Sequence, residues 1–268
     1  MKRVLAIHGH SQCAQSLRYK LSAIEQACQD TVEFVYVDAP HILLAVDLPG
    51  AVLPETSAVT ISGQPARAWW RFLYTMRDVD AVHKSFEYIR RVLEEQGPFD
   101  GILGFSQGAS FAAMIVAHLE NQDMPGCLLR GVNHPQFQFA ILISGFFAPC
   151  DVVAIPQVPI RTPSLHVFGI HDIMVSPENM ARLTTYFESP RVEVHAGGHF
   201  IPRTQAWTRF IAAYLRSTAD PSFTATVGTS PTLKICRHEF LSMRKSTEGL
   251  DGRVRPYTAT PAEIAGTA

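Results

Sequence analysis

One stretch constrains this chain more than any other: Gly101-Ile102-Leu103-Gly104-Phe105-Ser106-Gln107-Gly108-Ala109-Ser110, an apolar run that ends in Gly-x-Ser-x-Gly. Residues 109–119 continue it with a helical pattern. A serine lifted off the end of a strand needs a very tight strand-to-helix turn. Gly104 and Gly108 lack the Cβ atoms that would collide there, so the Ser106 hydroxyl can project above a sheet. The helix that begins at this point aims free N–H groups at the same place, which suits a developing negative charge.

The rest of the chain alternates in the same way. Val4-Leu5-Ala6-Ile7 is a short apolar strand running into His8-Gly9-His10-Ser11-Gln12, and Leu17, Leu21, Ile24 and Ala27 then recur at helical spacing. Phe34-Val35-Tyr36-Val37, Phe139-Ala140-Ile141-Leu142-Ile143, Leu165-His166-Val167-Phe168-Gly169 and Val192-Glu193-Val194-His195 are further strands. Val82, Phe86, Ile89 and Leu93 mark one face of a helix that Gly97-Pro98 ends. Ser176-Pro177 is an N-cap followed by proline in the first turn, and Trp207, Phe210, Ile211, Tyr214 and Leu215 form an amphipathic closing helix. Strands apolar on both faces with helices between them predict a mostly parallel sheet with helices on both faces, an α/β architecture.

Two regions break the rhythm. Residues 42–66 hold Pro49, Pro54 and Pro65 among apolar residues of neither helix nor strand period, which fits a lid or pocket wall as well as a loop packed on the core. Trp69 and Trp70 follow, as candidates to line an apolar substrate pocket or as core filler. Beyond the domain at residues 1–216, residues 217–268 are rich in Thr, Ser, Pro, Gly and Ala. They are expected to be a mostly disordered tail that the chemistry does not need.

Composition narrows the class. A net charge of -1 across 268 residues gives no reason to expect nucleic-acid or membrane-surface binding, and no apolar run reaches the length of a membrane span. The first strand follows the N-terminus with no signal segment, and five scattered cysteines without a Cys-x-x-Cys pair read as reduced thiols. Cytoplasm is the expected compartment.

Ser106, Asp172 and His199 each fall just past the C-terminal end of a predicted strand. In an open α/β sheet those ends share one edge, so the three can meet there, and the order Ser, Asp, His is that of the α/β-hydrolases. Ser106 would be the nucleophile, His199 its base and then the acid for the leaving group, and Asp172 the group that fixes the imidazole. The N–H of Gln107, next after the nucleophile, and the N–H of His10, where Gly9 permits close approach, are the expected oxyanion donors. Asp151 is the rival acid but lies further past its strand. His195 is the rival base but lies inside one, and His8, His166 and His171 read as packed or surface histidines. No pattern of His or acidic residues has metal-ligand spacing, so no metal is expected, and the Gly-x-Gly-x-x-Gly dinucleotide spacing is absent.

At these residues the chain resembles the FSH family of serine hydrolases, a branch of the α/β-hydrolases. The resemblance is carried by Leu5-Ala6-Ile7-His8-Gly9-His10-Ser11-Gln12, by Gly97-Pro98-Phe99-Asp100-Gly101 through Gly108, by Ile143-Ser144-Gly145-Phe146, by Thr162-Pro163-Ser164-Leu165-His166 and by Gly197-Gly198-His199. It spans roughly residues 1–215 and leaves residues 42–66 and the tail without a counterpart. The resemblance implies a cytosolic esterase or thioesterase without a cofactor, with Ser106, Asp172 and His199 as its triad. Several fungal relatives are similar to trans-acting thioesterases that release polyketides from a synthase's carrier protein. The expected substrate is a small acyl ester or thioester, with an acyl carrier protein as a partner in the second case. The alternative is a non-catalytic binding module on the same fold, for a small apolar ligand or a protein partner.

Overall fold

The computed structural model describes residues 1–47, 58–61, 63–71, 78–148, 158–217 and 231–232. Each apolar run of the sequence becomes a strand: β1 (Lys2–Ile7), β2 (Val32–Val37), β3 (Gly101–Phe105), β4 (Phe139–Ile143), β5 (Ser164–Gly169) and β6 (Pro190–His195). They form one sheet in the order β2-β1-β3-β4-β5-β6, with every neighbouring pair parallel.

Period-two alternation decides which side chains go to which face. Val4 and Ala6 of β1 and Leu103 and Phe105 of β3 pack with α1 (Ala14–Cys28), through Leu17 and Leu21. The same face holds α5 (Gln205–Ser217), through Trp207 and Phe210. Leu5, Ile7 and Ile102 point the other way. They meet Val82 and Phe86 of α2 (Val79–Gln96) and Phe111 of α3 (Gln107–Glu120), in a core that also takes Met180 and Leu183 of α4 (Pro177–Thr184). Helices therefore cover both faces, and each large side chain buried between layers stabilises the fold by roughly 1.5–3 kcal/mol.

Helix starts follow local chemistry. The Asp78 carboxylate accepts the Ala81 N–H at 3.1 Å to open α2, and Ser176 Oγ accepts the Asn179 N–H at 3.2 Å, with Pro177 beside it, to open α4. The helix after Ser106 begins at Gln107, two residues before its hydrophobic pattern becomes visible.

Residues 48–57 and 62 of the stretch that could form a lid, along with Asp151, lie outside the described residues. The described part contains two short antiparallel ladders, His41–Ile42 with Arg67–Ala68 and Thr60–Ile61 with Gln64–Pro65. Among the described residues no helix is long and apolar enough to cross a membrane. Thr232, inside the region expected to be a tail, bonds to β6: its Oγ accepts the Val194 N–H at 2.9 Å and donates to the Glu193 carboxylate.

Candidate active site

The sheet order places the site. β1 lies between β2 and β3, and the chain leaves the ends of β1 and β3 toward opposite faces, into α1 and α3. A crevice opens at such a divergence in open α/β sheets. The loop after β1 carries His8, Gly9 and His10, and the turn after β3 carries Ser106.

Ser106 sits at φ 55° and ψ -124°, a conformation that costs a non-glycine residue energy and is held by its surroundings. Its N–H donates to Ile143 O at 2.8 Å, and its carbonyl accepts from Ala109 and Ser110 in the first turn of α3. A Cβ on Gly104 would run into Ala109 and the Gly108 carbonyl. A Cβ on Gly108 would run into the carbonyls of Ile7 and His8. The first glycine thus clears the turn itself, and the second lets α3 approach the end of β1.

The loops after β5 and β6 are stitched together: Ile170 N–H donates to His195 O at 2.9 Å and His171 N–H to Gly197 O at 3.0 Å. They bring Asp172 and His199 to Ser106. His199 Nδ1 lies 2.7 Å from Asp172 Oδ2, and His199 Nε2 lies 2.8 Å from Ser106 Oγ. The other carboxylate oxygen, Asp172 Oδ1, accepts the N–H groups of Met174 at 2.9 Å and Val175 at 3.0 Å. Burial by itself would raise the Asp172 carboxyl. The bonds from His199 and Val175, with the charge of His199 and the Met174 N–H, outweigh it and hold the group below the ordinary aspartate value. An ionised carboxylate only accepts, so His199 Nδ1 carries the proton and Nε2 turns its lone pair toward Ser106. Such an arrangement can draw the proton from Ser106 and return it to a departing group.

The remaining predicted residues are found as follows. Among the described residues, no protein acceptor takes the N–H of His10 or of Gln107. The His10 ring is engaged: Nε2 donates to Arg71 O at 2.8 Å and Nδ1 accepts from Ser11 Oγ at 2.8 Å, while burial lowers its pKa. Trp69 and Trp70 are both wholly buried, so their rings go to packing, with Trp69 stacked on Phe111 at 4.8 Å. Their main chain is what reaches the site, through the Gln107 side chain. No local pattern in the sequence signals that link, which joins residues 37 and 38 apart. His195 lies among Phe200 and Trp207, at 4.9 and 5.8 Å between ring centres, and not in the chain of bonds to Ser106. His8 and His166 are buried, and His171 is exposed.

A parallel sheet of this order, with a serine raised at its switch point, defines the α/β-hydrolase class. Solved structures agree on the fold. SOBER1 of Arabidopsis thaliana matches at a TM-score of 0.54 with 13% identity, covering 82% of this chain and 99% of that one. Acyl-protein thioesterase 2 of Zea mays matches at 0.55 with 16% identity, covering 82% and 94%. The family described as "Serine hydrolase (FSH1)" matches residues 1–211, and the chain belongs to it. Curated relatives carry the name esterase: Esterase OVCA2 of Danio rerio is 34% identical over 80% of this chain and 96% of its own length. Esterase OVCA2 of Mus musculus is 32% identical over 78% and 95%.

Proposed function

We propose that this serine hydrolase cleaves carboxylic esters or acyl thioesters through an acyl-enzyme on Ser106. The unbroken chain of bonds from Asp172 through His199 to Ser106 Oγ is the observation that carries this reading. His199 Nε2 takes the hydroxyl proton as Ser106 Oγ attacks the acyl carbon, and Asp172 stabilises the imidazolium that forms. The carbonyl oxygen becomes an oxyanion, for which the N–H groups of His10 and Gln107, taken by no acceptor among the described residues, are the donors. As the tetrahedral intermediate collapses, His199 returns the proton to the departing alcohol or thiol. Water then enters by the same route and frees Ser106.

The relatives named esterases support an ester substrate, and a thioester on a carrier protein is the narrower form of the same chemistry. The apolar character of residues 42–72 favours an acyl group longer than acetate. Cys13, Cys28 and Cys127 are free thiols, in keeping with a cytoplasmic setting. Labelling of the wild type and of Ser106→Ala with a fluorophosphonate probe, beside aryl esters and acyl thioesters of increasing chain length, tests the reading. Labelling and turnover are both expected to vanish in the variant. A folded wild type that neither labels nor turns over would overturn the reading.

A further inference from the structure

We propose that the side chain of Gln107 is a positioning residue that holds the two halves of the oxyanion hole in register, acting through the main chain of Trp69 and Trp70. This rests on the hydrolase reading above and goes beyond it, because that reading needs only the Gln107 backbone N–H.

The two N–H donors belong to different loops. His10 follows β1, and its chain continues to α1 on one face. Gln107 follows β3 and opens α3 on the other. The β1–β3 register ends at Ile7 and Gly104, so beyond it the ladder no longer fixes one loop against the other.

Residues 67–71 cross this gap as a strap bonded to both sides. Toward the loop after β1, Arg67 N–H donates to Gln12 O at 2.8 Å. Trp69 Nε1–H donates to His8 O at 2.8 Å, and Arg71 O accepts from the His10 ring at 2.8 Å. Toward the turn after β3, the hydrogen-bonding side chain among the described residues is Gln107. Its Oε1 accepts the Trp69 N–H at 2.9 Å, and its Nε2 donates to Trp70 O at 2.9 Å. Gln107 is wholly buried, as are both tryptophans, so water cannot replace either bond. The indole of Trp69 lies on Phe111, one turn into α3, which seats the strap on the helix that Gln107 begins.

The consequence is specific to the transition state. An oxyanion hole works because its donors are already aimed when charge develops, and ground-state binding gains little from that alignment. Loosening the strap therefore lowers kcat and leaves KM almost unchanged.

Two variants of the full chain test this, with active sites counted by fluorophosphonate titration. Gln107→Met fills the same space and makes neither bond. It is expected to lose about 10- to 100-fold in kcat with KM within about twofold, and to lose affinity for a boronic acid that forms a tetrahedral serine adduct by the same factor. Gln107→Glu separates positioning from packing. A protonated carboxyl can accept from Trp69 and donate to Trp70, whereas the ionised form can only accept. This variant is expected to approach wild-type turnover at the acidic end of its range and to fall away as the carboxyl ionises, a limb that the wild type lacks.

Wild-type kcat in Gln107→Met, or a change confined to KM, would overturn the proposal while leaving the hydrolase reading intact. If Gln107→Met does not fold, the pH profile of Gln107→Glu decides alone, and a profile parallel to the wild type overturns the proposal. A wild type without labelling or turnover removes the hydrolase reading itself, and that result precedes any comparison of variants.

Discussion

The histidines around this site show how one side chain serves different ends according to its surroundings. His199 keeps one nitrogen for Asp172 and one for Ser106. His8, in the loop after β1, is wholly buried. Its Nδ1 donates to Gly9 O at 2.8 Å and its Nε2 accepts the Ala39 N–H at 3.0 Å, so burial, outweighing the bond to Gly9, pushes its pKa down to about 4. Burial pushes His195 down to about 4 as well, against the opposing pull of Asp172 and the Phe200 carbonyl. Both are neutral when folded and free to protonate near 6.5 when unfolded. The unfolded chain therefore binds more protons in this window. The stability these groups contribute is complete above about pH 6.5 and is lost as pH falls toward 4, at about 3 kcal/mol each. Urea unfolding at a series of pH values is expected to show this loss, with His195→Gln flattening the slope by about one proton. An unchanged slope in the variant would mean that His195 is not held neutral.

At the scale of elements, the contact between α3 and β1 sets the position of Ser106. Gly108 faces the Ile7 and His8 carbonyls, which are main-chain atoms of a central strand and the loop it feeds, and neither can step aside. Gly108→Ala is expected to tilt the first turn of α3, destabilise the fold by roughly 1–3 kcal/mol and carry the Gln107 N–H out of line. Equilibrium unfolding together with ester turnover measures both effects, and wild-type values in both would show that the helix has room to spare. The strands and helices themselves were legible because their signals are local: apolar runs, period 3.6, Ser176-Pro177 as a cap, Gly97-Pro98 as a stop. The side-chain partners of Gln107 were not, since they lie 37 and 38 positions away.

Over the whole molecule, β6 is an edge strand that leads directly into the loop bearing His199. Thr232 caps part of that edge, and the Glu193 carboxylate it meets is buried and paired with Arg191 at 2.9 Å. An uncovered edge presents unpaired N–H groups to any passing chain, so a contact from the same chain protects it. Thr232→Val removes an acceptor from Val194 and a donor from Glu193 at almost constant volume, and is expected to lower stability by about 1–2 kcal/mol. A thermal midpoint equal to the wild type would show that the edge gains nothing from the contact.

The sequence by itself determined the α/β alternation, the Gly-x-Ser-x-Gly turn and the position of Ser106, Asp172 and His199 just past strand ends, because each depends on neighbours within a few positions. Only the tertiary structure decided which strand lies beside which, and with it the meeting of Ser106, Asp172 and His199 at hydrogen-bonding distance. It also turned the Trp69 and Trp70 rings inward and gave their main chain to Gln107, and it brought Thr232 to the edge of β6. Those outcomes depend on which buried donor finds which acceptor across the sheet. Periodicity along the chain carries no record of such pairings.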